Sequence, residues 1–93
     1  MKHAGPNALD RLEPLLGELR KREALREKRR GCFYLSGRGF LHFHEHGEDE
    51  LYADLGIGDD FGRLAATTAA QQRALLKRVD RLLKASRGSP SSR

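Results

Sequence analysis

The chain has 93 residues, a net charge of +5 and one cysteine, so it holds one modest hydrophobic core and no internal disulfide. No run of about 18 apolar residues is present, which excludes a membrane-spanning helix, and the opening MKHAGPNALDRLEP has no apolar signal core. A single cytoplasmic domain is the expectation, with Cys32 a small half-buried apolar group rather than a reactive thiol.

Residues 1–6 carry no pattern and are expected to be loose. A helix is expected to start near Asn7 or Asp10. Asp10 and Glu13 have the spacing of a capping box, and Pro14 favours a late start or a bend. Leu9, Leu12, Leu16 and Leu19 form one apolar stripe at helical spacing. The stripe fades after Leu19, and Leu25 either continues it or begins a strand; the run RKREALREKRR, residues 20–30, is strongly basic. Its candidates for an anionic partner are Arg20, Lys21, Arg22, Arg26, Lys28, Arg29 and Arg30. Glu23 and Glu27 satisfy part of that charge internally.

Gly31 breaks the helix, and Cys32-Phe33-Tyr34-Leu35 reads as a first strand. Ser36-Gly37-Arg38-Gly39 supplies hairpin chemistry. Phe40 to Glu45 forms a second strand and Leu51 to Leu55 a third. GIGDDFG, residues 56–62, is read as a loop or irregular edge. Its spacing misses the dinucleotide fingerprint, and its aspartates repel phosphate. Thr68 and Gln71 have capping-box spacing, and Leu75, Leu76, Val79, Leu82 and Leu83 make the stripe of a final helix. Gly88 stops it, and SPSSR is expected to be a disordered tail.

The fold class that follows is α+β: a two-layer helix–β–β–β–helix domain over residues 7–86. An antiparallel three-stranded meander carries both helices on one face. Residues 1–6 and 87–93 flank it. The charge is asymmetric, with basic helices and an acidic sheet edge holding Glu45, Glu48, Asp49, Glu50, Asp54, Asp59 and Asp60.

Three of the four histidines lie in FLHFHEH, residues 40–46. Alternate strand residues share a face, so Phe40, His42 and His44 look one way and Leu41 and Phe43 the other. Leu51, Ala53 and Leu55 must face the core, because Tyr52 and Asp54 are polar. A five-residue connection, 46–50, then sets Phe43 opposite Ala53 and Leu41 opposite Leu55. It also sets His42 opposite Asp54 and His44 opposite Tyr52. A shorter loop would bury Asp54 beside Leu41. The second face carries Phe40, His42, His44, Tyr52 and Asp54, joined by Cys32 with Tyr34 or by Phe33 with Leu35. If both helices cover the core, nothing covers this face.

Histidines hydrogen-bonded to Asp54 and Tyr52 are the expected use of that face. A metal held by His42, His44 and Asp54, or a His42–Asp54 general base, is the alternative. No motif fixes a reaction, so binding is expected rather than catalysis, with no cofactor. The partner is a protein, a nucleic acid or a second copy docked through the sheet face, and no membrane.

The segment GCFYLSGRGFLHFHEHGEDELYADL resembles the centre of a group of small uncharacterised bacterial proteins. Those carry similar FY, FLHFHE and LYAD runs between two helices. The resemblance implies a bacterial cytoplasmic protein and brings no activity with it. The layout is also similar to that of the MmcQ/YjbR-like proteins, whose combination of helices and β-meander is linked by fold to DNA binding.

Overall fold

The computed structural model describes residues 2–47, 49–57 and 60–88. In chain order it runs β1 (Lys2–His3), α1 (Pro6–Arg20), β2 (Leu25–Arg29), β3 (Cys32–Leu35), β4 (Arg38–His46), β5 (Glu50–Ile57), β6 (Asp60–Ala65) and α2 (Ala69–Gly88). The class is α+β, with one antiparallel sheet in the order β2-β3-β4-β5-β6. β5 lines one edge of β4 along Leu41–His46, so β1, which pairs Lys2 with Glu45 and His3 with His44, extends the line of β3.

The sheet is wider than the expected three strands, for three separate reasons. β2 arises from LREKR, which begins at Leu25, the residue read either as continuing the helix or as starting a strand, but which the expected three-stranded meander did not include. Its strand character is hidden because only Leu25 is a good strand former; a charged edge strand resists further pairing and needs no alternation signal. β6 arises from the DFG segment read as a loop, where Gly62 sits opposite Leu55. β1 has two residues and no detectable pattern. Of the expected tail, residues 89–93 lie outside the described residues, and α2 runs through to Gly88.

The register of the central pair follows from where charge can sit. Leu41 pairs with Leu55, His42 with Asp54, Phe43 with Ala53 and His44 with Tyr52. Leu41, Phe43, Leu51, Ala53 and Leu55 are buried on one face, with Phe33 beside them. α1 adds Ala8, Leu12, Leu15, Leu16 and Leu19, and α2 adds Leu75, Val79 and Leu83. Both helices therefore cover the same face. No charged or polar residue is buried among the described residues, which agrees with the cost of burying an unpaired charge.

α1 starts earlier than the capping-box spacing suggests. Its N-cap is Gly5 and Pro6 occupies its first turn, where a missing N–H costs nothing. Pro14 lies inside the helix and forfeits one backbone bond, a cost of about 3 kcal/mol that burial of the leucine stripe offsets. Asp10 and Glu13 do not cap the helix; both pair with Arg30. At α2 the capping box forms: Gln71 N–H donates to Thr68 Oγ1 at 3.1 Å, and Thr68 N–H to Gln71 Oε1 at 3.0 Å.

Two turns fix the hairpins. Ser36 (φ 53°) and Gly37 (φ 82°) form the two-residue β3–β4 turn with both central residues left-handed, the type I′ pattern that matches strand twist. Between β3 and β4, Phe33 pairs with Leu41 but Tyr34 pairs with Gly39. Phe40 is the extra residue of a bulge, which turns its ring inward to 1% exposure. Strict alternation had put Phe40 on the opposite face.

Candidate functional site

The uncovered side of the sheet is set by the same registers. Cys32 pairs with His42, so Cys32 and Tyr34 face this side, while Phe33 is buried. Arg26 pairs with Tyr34, and the Lys28 Nζ lies 4.5 Å from the centre of the Tyr34 ring, a cation–π contact. On the far edge Arg63 pairs with Asp54, which places Phe61 on the same side; its ring lies 6.0 Å from that of His42. The face thus presents Arg26, Lys28, Cys32, Tyr34, His3, His42, His44, Tyr52, Asp54, Phe61 and Arg63. Of the five sheet-face residues singled out from the sequence, His42, His44, Tyr52 and Asp54 come together here and Phe40 does not.

At its centre is a compact polar knot. His42 Nδ1 and His44 Nε2 are 3.1 Å apart. Asp54 Oδ2 lies 2.8 Å from His44 Nε2 and 4.0 Å from His42 Nδ1. The Asp54 carboxylate therefore engages His44, not the cross-strand His42 that a His42–Asp54 base would need. Arg63 Nε donates to Asp54 Oδ1 at 2.9 Å. That hydrogen bond, with help from the histidines, holds the Asp54 carboxyl below its ordinary range against the opposing effect of partial burial. His42 is pushed below the ordinary imidazole value by burial, with Asp54 opposing the shift. Tyr52 does not bond His44. Its hydroxyl donates to Glu50 Oε1 at 3.2 Å, which raises its pKa.

His3 completes the group, and nothing in its sequence surroundings announces it. β1 delivers it directly opposite His44, with ring centroids 4.8 Å apart and the rings stacked. One nitrogen from each of His3, His42 and His44 falls within 4.8 Å of the others. His44 Nδ1 is buried without a hydrogen-bond partner.

The basic run, by contrast, is largely neutralised. Arg20 binds Glu13 and Glu27. Lys21 binds Glu18, Arg22 binds Asp80 through two hydrogen bonds, and Arg30 binds Asp10 and Glu13. Lys21 pairs within the end of α1; the other three stitch α1 and the segments flanking β2 to β2 and α2. Arg26, Lys28 and Arg29 have no ion pair among the described residues, and of these Arg26 and Lys28 belong to the open sheet face. The expected basic ridge is thus reduced to a strand edge.

Among the described residues no helix is long and apolar enough to cross a membrane. Comparison with known proteins finds no matching family, no matching curated protein and no matching solved structure.

Proposed function

We propose that this protein is a non-catalytic binding module whose partner is single-stranded nucleic acid, taken up on the open sheet face. The observation that carries the reading is the composition of that face. It offers the rings of Tyr34, Tyr52, Phe61 and His42 and the unpaired cations Arg26 and Lys28, and among the described residues it has no leucine, isoleucine or valine. A face built to bury another protein or a second copy has an apolar centre depleted of charge. A sheet that binds unpaired bases has rings for stacking and cations for phosphates. Lys28, already poised over Tyr34, supplies both at one place.

The mechanism is stacking plus counterion release. Each base stacked on an aromatic ring contributes about 1–3 kcal/mol. Two phosphates met by Arg26 and Lys28 give a slope of about −1.4 for log affinity against log salt. The test is fluorescence anisotropy of a labelled single-stranded oligonucleotide, with the matching duplex as control. Tyr34→Ala is expected to weaken binding by about 5- to 150-fold and Lys28→Ala to make the salt slope shallower. Absence of salt-sensitive binding, or tighter binding of the duplex, overturns the reading.

A further inference from the structure

The geometry points to a divalent transition-metal site formed by His3, His42 and His44, with Asp54 as its fourth ligand. This site does not depend on the nucleic-acid reading: it shares His42 with that surface, but its ligands and its test involve no oligonucleotide. Three strands supply it. His42 and His44 share a face of β4 by strand alternation. The β1–β4 pairing sets His3 against His44, and the β4–β5 pairing sets Asp54 against His42.

The spacing matches a small tetrahedral ion. Metal–nitrogen bonds of about 2.0–2.1 Å put neighbouring ligand atoms about 3.3 Å apart. The contacts of 3.1 Å between His42 Nδ1 and His44 Nε2, and of 2.8 and 4.0 Å from Asp54 Oδ2 to those two nitrogens, bracket that value. His3, His42 and His44 each place one nitrogen within 4.8 Å of the other two, and His3 is exposed on a two-residue strand.

His42 Nδ1 and Asp54 Oδ2 both approach His44 Nε2, which carries one hydrogen at most, and a cation at their centre would satisfy all three. Arg63 grips both carboxylate oxygens, Nε donating to Asp54 Oδ1 at 2.9 Å and Nη2 to Oδ2 at 3.3 Å, while Oδ2 also faces His44 at 2.8 Å. Arg63 thereby orients the carboxylate from outside. Three imidazoles and one carboxylate suit zinc, and cobalt(II) in its place. Four protein ligands close the coordination sphere, so the ion would staple β1 to β4 and β5 rather than present a reactive position.

The test uses the full, untagged chain titrated with cobalt(II) and followed by absorbance, then displaced with zinc. One ion per chain with the ligand-field bands of a tetrahedral site is expected. His3→Ala, His42→Ala and His44→Ala should each lose more than about 100-fold in affinity, beyond the range typical of outer-sphere changes. His46→Ala should bind as the unsubstituted chain does. Non-saturable binding, or unchanged affinity in His3→Ala, overturns the site. A readout without substitution guards against misfolded variants: histidine ring resonances of the unsubstituted chain during zinc addition. Movement of His3, His42 and His44 with His46 stationary supports the site, and any pattern that leaves His3 unmoved overturns it.

Discussion

Glu45 ties the N-terminal segment to the sheet, and its removal has a calculable cost. The Gly5 N–H, at the N-cap of α1, donates to Glu45 Oε2 at 2.6 Å, and the helix has no side-chain cap of its own. A partly buried hydrogen bond to a charged acceptor contributes about 1.5–3 kcal/mol. A carboxylate at a helix N-terminus adds about 0.3–1 kcal/mol through the helix dipole. Glu45→Ala should therefore cost about 2 kcal/mol, a large share of the 5–15 kcal/mol typical of a domain. In a domain of this size that lowers Tm by about 8–16 °C. Glu45→Gln keeps an acceptor and loses the charge, and should cost roughly half as much. Urea unfolding followed by circular dichroism measures both, with an unchanged denaturant slope showing that the unfolded reference is the same. A Glu45→Ala cost below about 0.5 kcal/mol, the range of a neutral surface change, would refute the carboxylate as the anchor of α1 and β1.

Phe40→Ala should cost about 3–5 kcal/mol in the same assay, as for a core aromatic; near-neutrality would mean that the ring does not turn inward at the bulge. Gly31→Ala should destabilise by at least about 1 kcal/mol, because Gly31 has φ 81° and an added Cβ would lie 2.7 Å from Leu9 Cδ2. Adding Leu9→Ala to Gly31→Ala should relieve the clash but not the backbone strain, so a double variant as stable as Leu9→Ala alone would contradict this. Glu27 gives a pH signature. Burial raises its pKa, but the Arg20 hydrogen bond and the Gly31 N–H together outweigh burial and leave it below 4.5. Its contribution is full above the unfolded value near 4.5 and is lost as pH falls through the lower folded value. Glu27→Gln should therefore lose less stability than the unsubstituted chain between about pH 5 and pH 3, and parallel acid limbs would contradict the shift.

The parts of this fold visible in the sequence are those where burial leaves little choice. The leucine stripes of α1 and α2 follow from helical periodicity, and the 40–55 hairpin register follows from keeping Asp54 out of the core. The invisible parts lack such a constraint. LREKR becomes a strand because an edge needs only one buried side. DFGRLA becomes one despite its glycine, because Leu64 and Arg63 alternate across it. Phe40 is misplaced by alternation because a one-residue bulge resets the faces, and such a bulge has no signature when a glycine and two large apolar residues adjoin. His3 could be found only through a two-residue pairing. Arg63 was findable in principle: once Asp54 is placed, the strand after it must bring a partner opposite. The basic run was legible as charge but not as ion pairs, since Asp10, Glu13, Glu18 and Asp80 meet it from elsewhere in the chain.

The claim that the open sheet face is the working surface is tested most directly by aromatic-ring NMR during titration with a single-stranded oligonucleotide. The rings of Tyr34, Tyr52 and Phe61 are predicted to shift while the core rings of Phe33, Phe40 and Phe43 stay fixed. Unmoved tyrosine rings, with changes confined to the exposed cations Arg73, Lys77, Arg81 and Lys84 of α2, would contradict it.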